Sequence, residues 1–281
     1  MFSMNRLPIE KRVQILGCLT EGMSLRATSR LADVSINTVT KLLVDVGTAC
    51  EAYQIDKLVN LTTKRVQCDE IWSFVGAKEA NTPPNIRGQL GRGDVYTWVA
   101  LDADSKLVIS WNVGKRSTEY AVAFMKDVAA RLANRVQLTT DGHKGYLVAV
   151  DDAFGINIDY AMLQKLYGGS EGNKTSPEHR YSPGKCIGQI KGAVTGDPDM
   201  AHVSTAHVER QNLTMRMQMR RFTRLTNAFS KKVENHAHAV ALHYMFYNFC
   251  RIHKTLRVTP AMQAGVADHV WSLEEVAKLA D

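Results

Sequence analysis

Cysteine is sparse in this sequence, and its spacing is irregular. The chain of 281 residues contains five cysteines, and no two of them form a Cys-x-x-Cys pair: Cys18, Cys50, Cys68, Cys186 and Cys250. An odd number at scattered positions supports neither a disulfide framework nor a cysteine-rich zinc site. We therefore predict reduced thiols that pack as small apolar residues.

Long hydrophobic runs are also missing. No stretch of about 18 apolar residues occurs, which excludes a transmembrane helix. The first twelve residues carry charges and Pro8 where a signal peptide would be apolar. No internal repeat or low-complexity tract is present. These absences predict a globular protein that stays in the cytoplasm.

Positive charge is abundant but unevenly distributed. The net charge is +7 and the pI is about 9.1. Residues 206–257 contain ten Lys and Arg against two Asp and Glu, whereas residues 66–205 contain 15 against 16. A solvated helix face is the alternative explanation, but such faces usually mix both signs. The distribution favours contact between the second half of the chain and a nucleic acid.

The N-terminal segment has the pattern of a helix-turn-helix. Apolar spacing predicts helices over residues 9–19, 25–32 and 36–46, with Ser24 and Ser35 as N-caps of the second and third. Ala27 and Leu31 are expected where the first two helices cross. We assign residues 1–50 to this module and residues 51–64 to a linker.

The third predicted helix has one apolar and one polar face. Val39, Leu42 and Leu43 are expected to be buried. The outward face carries four side chains that can bond base edges or phosphates: Asn37, Thr38, Thr40 and Lys41. DNA binding is the favoured interpretation, and a three-helix cap with a polar surface is the alternative.

Residues 65–257 predict a mixed α/β domain. Strand patterns cover residues 65–75, 94–102, 106–113, 135–140 and 156–163, and helices are predicted over 118–133 and 144–154. This order predicts a mixed five-stranded sheet with helices, as in ribonuclease-H-like folds. We expect a loop insertion over about 164–205, helices to about 256 with breaks near Thr226, Asn227 and Ser230, and a helical tail over 258–281.

Three acidic residues stand out by their location. Asp69 lies inside the apolar first strand, Asp141 follows the fourth strand, and Glu209 opens a basic helix. The first and fourth strands are neighbours in a ribonuclease-H-like sheet, so Asp69 and Asp141 would meet, and a helix on that sheet could add Glu209. Clustered carboxylates repel one another unless cations are present, and hard oxygen ligands suit Mg²⁺ or Mn²⁺. Glu70 is expected on the opposite face of its strand, outside this cluster.

Four segments resemble the blocks of bacterial insertion-sequence transposases, and the insertion-sequence-one family most of all: residues 68–75 (CDEIWSFV), 140–143 (TDGH), 207–216 (HVERQNLTMR) and 247–256 (YNFCRIHKTL). The resemblance runs from the helix-turn-helix to about Met262. It implies a ribonuclease-H-like catalytic domain with Asp69, Asp141 and Glu209 as the metal-binding triad. It also implies cleavage and transfer of DNA strands at the ends of a mobile element. That family often begins with a zinc-binding cysteine cluster, which this chain lacks.

Basic residues near the third acid are candidate DNA contacts. Arg216 lies two helical turns after Glu209, where a cation could hold the attacked phosphate. Further candidates are Arg210, Arg220, Arg221 and Lys254. Lys254 could equally be the polar end of a helix. Because two DNA ends must be held together, we expect a homo-oligomer in the synaptic complex, associated with the nucleoid.

Other functions remain open from the sequence. A nuclease on the same fold would cut without joining. A DNA-binding regulator or a domesticated, inactive transposase would bind without cutting. His236 and His243 share a helix face, but no nearby Cys or carboxylate completes a zinc set, so we predict core or surface histidines. His143 and His207 are possible proton shuttles or phosphate contacts.

Overall fold

A computed structural model of the protein describes residues 6–89, 91–168, 185–223 and 226–281. Three helices form its N-terminal part: α1 Ile9–Thr20, α2 Leu25–Leu31 and α3 Ile36–Lys57. The side chain of Ser24 accepts a hydrogen bond from the Ala27 amide, and that of Ser35 accepts one from the Thr38 amide, both at 3.1 Å. The three predicted helices and both N-caps are therefore confirmed.

Two details of this part differ from prediction. Helix α3 does not end near Gly47 but continues to Lys57, through the first half of the segment predicted as a linker. Leu31 is 56% exposed, and Thr28 is buried in its place. The end of α2 still contacts α1 through its backbone, since the carbonyls of Leu31 and Ala32 accept hydrogen bonds from Gln14 and Lys11 at 3.2 and 2.9 Å.

The central sheet has six strands: β1 Arg65–Val75, β2 Gly93–Asp102, β3 Val108–Gly114, β4 Gln137–Thr140, β5 Asp159–Gly168 and β6 Lys185–Thr195. Their order is β3-β2-β1-β4-β5-β6. Strand β1 is antiparallel to β2 and parallel to β4. Strands β4 and β5 are parallel, and β6 is antiparallel to β5. The mixed α/β class and the adjacency of the first and fourth strands are confirmed.

The expected loop insertion over about 164–205 is wrong in part. Strand β5 extends to Gly168, and β6 pairs with it as a sixth strand at the sheet edge. The apolar residues Ile187, Ile190 and Val194 of β6 are all exposed, so backbone pairing with β5 supplies the stabilisation that burial of these side chains does not. Residues 169–184 of the same predicted loop lie outside the described residues.

Helices flank the sheet and close the chain. Helices α4 Thr118–Arg131 and α5 Gly145–Phe154 connect strands. They are followed by α6 Ala206–Gln218, α7 Val233–Met245 with a π-helical end at Phe246–Cys250, α8 Pro260–Gln263 and α9 Leu273–Lys278. The predicted breaks at Thr226, Asn227 and Ser230 fall between α6 and α7, as expected.

The C-terminal tail returns to the first helix, which the sequence did not reveal. Helix α9 begins with a capping box formed by Ser272 and Glu275. Beyond it, an Asp281 carboxylate oxygen lies 2.6 Å from Nη1 of the buried Arg12 side chain. The two ends of the chain therefore belong to one packed core.

All five cysteines are free thiols, as predicted, and Cys50 and Cys68 are buried in the core. Burial raises the pKa of Cys250 to about 12, so this thiol is unreactive at neutral pH. Among the described residues, no helix is both long and apolar enough to cross a membrane.

Helix α3 packs closely on α7 at Gly47. A Cβ atom at this position would lie 2.6–2.9 Å from the Cβ, carbonyl oxygen and Cα of His238. The absence of a side chain is therefore what lets the N-terminal helices lie directly against α7.

Replacing Gly47 with Ala is expected to destabilise the fold by about 3 kcal/mol, because the added methyl group meets backbone that cannot move aside. Gly17→Ala is the matched control, since it also adds a methyl group within a helix and its nearest neighbour would be 3.6 Å away. That control should be neutral or stabilising by about 0.5–1 kcal/mol. Urea unfolding of both variants tests the packing, and equal effects would contradict it.

Candidate functional site

Two carboxylates meet at one edge of the sheet because of strand register. In the parallel pair β1 and β4, Cys68 is aligned with Thr140. The next residues, Asp69 within β1 and Asp141 directly after β4, are therefore side by side. The Asp141 Oδ1 atom accepts a hydrogen bond from the His143 amide at 2.9 Å, which fixes the turn after β4.

The third predicted acid, Glu209, lines the same pocket. Helix α6 is anchored on β1 because Gln67 Oε1 accepts hydrogen bonds from the amides of His207 and Val208 at 2.9 and 3.2 Å. This anchor places the first turn of α6, with Glu209, over the carboxyl side of β1. The pocket has a volume of about 620 Å³ and is lined by Asp69, Arg116, Asp141, Gly142, His143, Lys144, Leu163, Gln164, Lys165, Tyr167, Thr205 and Glu209.

Glu209 is held at the rim of this group rather than in its centre. Thr205 Oγ1 donates a hydrogen bond to Glu209 Oε1 at 2.5 Å, and Lys165 Nζ forms an ion pair with Oε2. The tightest cluster of potential metal ligands among the described residues is Asp69, Glu70 and Asp141, whose ligand oxygens lie within 4.8 Å of one another.

The expectation that Glu70 lies outside the acidic cluster is wrong. The two carboxylates have different partners, since Glu70 Oε2 accepts a hydrogen bond from the Tyr146 hydroxyl of α5 at 3.2 Å and Asp69 Oδ2 accepts one from Asn212 of α6 at 2.8 Å. An oxygen of each nevertheless lies within 4.8 Å of the other and of an Asp141 oxygen. Strand alternation alone therefore does not separate the two acids, and it ignored the neighbouring strand that brings Asp141.

The surroundings of the Asp69 carboxyl group make its ionisation unfavourable. Burial, followed by the charges of Glu70 and Asp141, raises its pKa to about 7. The pKa of Glu70 is also raised, first by burial and then by Asp141, and is partly restored by Arg116. A group of acids that resists full ionisation gains stability from a bound cation.

Two cations that sequence reasoning missed lie beside the acids. Arg116 donates to Glu70, and its Nη2 atom lies 3.4 Å from Asp141 Oδ2. Lys165, on β5, forms the ion pair with Glu209. Arg116 follows β3 and precedes α4, so only its place at a strand end could have drawn attention to it. No local signal marks Lys165, whose position depends on the pairing of β4 with β5.

The predicted recognition face of α3 is on the surface. Asn37 and Lys41 are exposed, and Lys41 Nζ lies 2.6 Å from Asp45 Oδ2. Thr38 and Thr40 are half-buried, and their hydroxyls bond Ser35 Oγ and the Ile36 carbonyl at 2.8 Å. The buried face holds Val39, Leu42 and Leu43, as predicted.

The predicted basic contacts fall into three groups. Arg210, Arg220 and Lys254 are exposed. Arg216 is half-buried on α6 and does not line the acidic pocket. Arg221 donates from Nη1 to Ser230 Oγ at 3.1 Å and to the Asn235 carbonyl at 2.7 Å, and burial lowers its pKa to about 10. Through these internal hydrogen bonds, Arg221 stabilises the segment between α6 and α7.

The histidines of α7 are core residues. His236 and His243 are buried, and burial lowers the pKa of each to about 3. The two ring nitrogens of His236 bond the hydroxyls of Ser230 and Ser73 at 2.8 and 3.3 Å. No histidine belongs to the metal-ligand cluster found within the described parts of the chain. His143 lines the pocket, stacks on Trp98 and accepts the Gly145 amide at Nδ1.

Comparison with known proteins gives little further information. No family model matches the sequence, and no curated protein matches it. One similar solved structure is the crystal structure of a pre-cleavage Mos1 transpososome, with 12% sequence identity and a TM-score of 0.21. The match covers 57% of this chain and 61% of that chain, which is less than two thirds of its length. So low a score does not establish a common fold, and the assignment of function depends on the site itself.

Proposed function

We propose that this chain is a transposase of the Asp-Asp-Glu class, which cleaves DNA at the ends of an insertion sequence and transfers the strands to target DNA. One observation carries the proposal: Asp69, Asp141 and Glu209, far apart in the sequence, line a single pocket. Three carboxylates from two strands and a helix, with cations beside them, are suited to phosphodiester chemistry.

The strand order supports a ribonuclease-H-like catalytic domain over residues 65–257. Three antiparallel strands are followed by two that run parallel to the first, and β1 and β4 lie at the centre. Together with the three N-terminal helices and the four sequence blocks, this order supports a relationship to the insertion-sequence-one family. The division into a module over 1–50 and a tail over 258–281 is part of the same proposal, with helix α3 occupying the first half of the segment 51–64.

The residues present fit Mg²⁺ or Mn²⁺. The donors are hard carboxylate oxygens: those of Asp69, Glu70 and Asp141 lie within 4.8 Å of one another, and Glu209 lines the same pocket. Asn212 Oδ1 is buried beside Asp69 without a hydrogen-bond partner in the described structure. Asp69, Asp141 and Glu209 would hold the ions. Bound divalent ions activate an attacking oxygen and stabilise the leaving oxygen of a phosphodiester.

The chain's own side chains bind and orient the DNA around this chemistry. Arg116 and Lys165 are the pocket cations that can hold the non-bridging oxygens of the attacked phosphate. When Lys165 moves to a phosphate, Glu209 loses its ion pair and becomes available as a ligand. Water first hydrolyses one phosphodiester and leaves a 3′-hydroxyl and a 5′-phosphate. The 3′-hydroxyl then attacks a phosphodiester of target DNA, forms a new phosphodiester and displaces a 3′-hydroxyl of the target strand. No covalent protein intermediate is required.

DNA contact outside the pocket is assigned to two surfaces. The face of α3 with Asn37, Thr38, Thr40 and Lys41 can contact base edges and phosphates of the element end. The basic residues Arg210, Arg216, Arg220 and Lys254 can contact the backbone. Because two ends are joined in one event, the active form requires a homo-oligomer.

Incubation of the purified protein with labelled DNA carrying the element's own flanking repeats, in Mg²⁺ or Mn²⁺, tests the proposal. Nicking at the repeat ends followed by joining to a second DNA is the expected result. Nicking without joining would assign a nuclease instead. Sequence-specific binding without nicking in either metal would assign a regulator or an inactive, domesticated transposase.

Substitution of Glu209 and of Glu70 distinguishes a metal ligand from a residue that supports the site. Glu209→Gln is expected to lower strand cleavage by about a thousandfold or more, since an amide is a poor substitute for a metal-binding carboxylate. Glu70→Gln has the same shape change but should cost only about 10–100-fold, because Glu70 is engaged by Arg116 and Tyr146. Single-turnover cleavage rates check both, and a larger loss for Glu70→Gln would exchange their roles.

A further inference from the structure

A second cleft lies between the N-terminal helices and the segment that joins α6 to α7. Its volume is about 970 Å³, and its walls come from α1 to α3 on one side and from residues 219–223 and 226–243 on the other. The acidic pocket and this cleft are found near opposite ends of α6, at Glu209 and Met219. At 1.5 Å per residue, they are separated by about 15 Å along the helix.

The walls of the cleft are cationic. Arg26, Arg220, Lys231 and Lys232 line it and are exposed, and no Asp or Glu is among its lining residues. None of the four forms an ion pair with a carboxylate of residues 6–89, 91–168, 185–223 or 226–281. The acids closest in sequence, Glu21 and Glu234, lie outside the lining. Four uncompensated cations around one concave surface fit a polyanion.

Apolar side chains lie between these cations. Met23 and Ile36 line the cleft and are 40% and 39% exposed. Phe229 is half-buried, with its ring centroid 5.0 Å from that of Phe74. Flat apolar surfaces interleaved with cations are the features by which proteins bind unpaired nucleic acid, because bases stack on them while phosphates pair with Lys and Arg.

We propose that this cleft binds an unpaired DNA strand of a few nucleotides, beside the duplex contacted by α3. The inference rests on the proposal that the chain acts on DNA, and it adds a single-strand site. A cleft of this volume is the size of a small-ligand site and is too small for a double helix. Asn37 and Thr40, on the α3 face assigned to the duplex, also line the cleft, so the cleft opens directly beside that face. A strand separated from the duplex at the element end could pass from the acidic pocket along α6 into this cleft.

Fluorescence anisotropy in EDTA tests the proposal, with a labelled oligothymidylate and a hairpin duplex as probes. Lys231→Gln with Lys232→Gln should weaken binding of oligothymidylate by about tenfold or more, and should lower the slope of log K against log salt by about 1.4, or about 0.7 for each lost phosphate contact. The control is Lys126→Gln with Lys278→Gln, which removes the same charge from exposed lysines that pair with Asp152 and Glu274. The control should leave both quantities unchanged.

The stacking part is tested separately by Phe229→Leu, which keeps an apolar contact with Phe74. It should weaken oligothymidylate binding by about fivefold or more, with an unchanged salt slope and an unchanged melting temperature. Equal losses for the cleft and control pairs would overturn the proposal. An equal loss for the hairpin duplex would overturn it too, by assigning the lysines to duplex backbone. Because EDTA prevents strand cleavage, the affinity for oligothymidylate is measured independently of the proposed chemistry. A protein that cleaves DNA normally could still fail this binding test, and the two failures are therefore distinguishable.

Discussion

Replacing Asp141 with Asn abolishes strand cleavage, with an expected loss of about a thousandfold or more, while affinity for end DNA in EDTA stays within about twofold of wild type. The reason is position: Asp141 ends β4 next to Asp69, and its Oδ2 atom lies 3.4 Å from Arg116 at the centre of the acidic group. The amide keeps the size of the side chain and can still accept the His143 hydrogen bond. Only its charge and its second metal-binding oxygen are lost.

Asp151→Asn provides the matched control for this experiment. Asp151 is exposed on α5, ten residues further along the chain and outside the pocket lining. Cleavage by the control should equal that of the wild type. If the Asp141 variant cleaved DNA at a comparable rate, Asp141 would not belong to the reacting group, and the pocket would lose its proposed role.

Replacing Asp69 with Asn is expected to raise the melting temperature of the metal-free protein at pH 8 and to remove the stabilisation by Mn²⁺. The pKa of Asp69 is raised from 3.8 to about 7, mainly by burial, so the folded state binds this proton more tightly than the unfolded state does. The contribution of Asp69 to stability therefore falls as pH rises from about 4 to about 7, and stays low above that range. An amide cannot ionise and avoids this loss.

Thermal unfolding of both proteins at pH 5 and pH 8, in EDTA and in Mn²⁺, checks this prediction. In EDTA the gain of the variant over wild type should be larger at pH 8 than at pH 5. Mn²⁺ should raise the melting temperature of wild type most at pH 8, where it competes least with the proton. Glu275→Gln is a control of opposite sign: hydrogen bonds from Ser272 and His269 lower the pKa of Glu275 to about 2, so its replacement should destabilise the protein at either pH. A melting temperature of the Asp69 variant that rose with Mn²⁺ as in wild type would contradict the assignment.

The positions of Asp69 and Asp141 could be predicted because they depend on short-range signals. Carboxylates inside an apolar run, here Asp69 beside Glu70, predict a strand with a functional acid, and an Asp-Gly pair after a strand predicts a turn at a sheet edge. The order of the elements was then enough to make β1 and β4 neighbours, as the sheet confirms. The N-caps Ser24 and Ser35 were predictable for the same reason, since a cap acts within four residues.

The features that the sequence did not reveal depend on contacts between distant segments. Glu70 approaches Asp141 only because β4 lies beside β1, and Lys165 reaches Glu209 only because β5 extends beyond the predicted strand end. The β-branched residues of β6 stand within a longer stretch rich in Gly, Pro, Lys and Ser, and the strand is identified only by its pairing with β5. Gly47 was predicted to end α3, but it is the position at which α3 crosses α7, and tertiary packing there outweighs the low helix propensity of glycine.

The acidic group is most directly tested by anomalous diffraction from crystals of the full chain bound to end DNA and soaked in Mn²⁺. The account predicts manganese peaks within bonding distance of carboxylate oxygens of Asp69 and Asp141, with Glu209 turned away from Lys165 and towards the ions. Manganese bound only elsewhere, or a pocket without manganese while DNA occupies the α3 surface, would contradict the central claim that these three acids form the catalytic metal site.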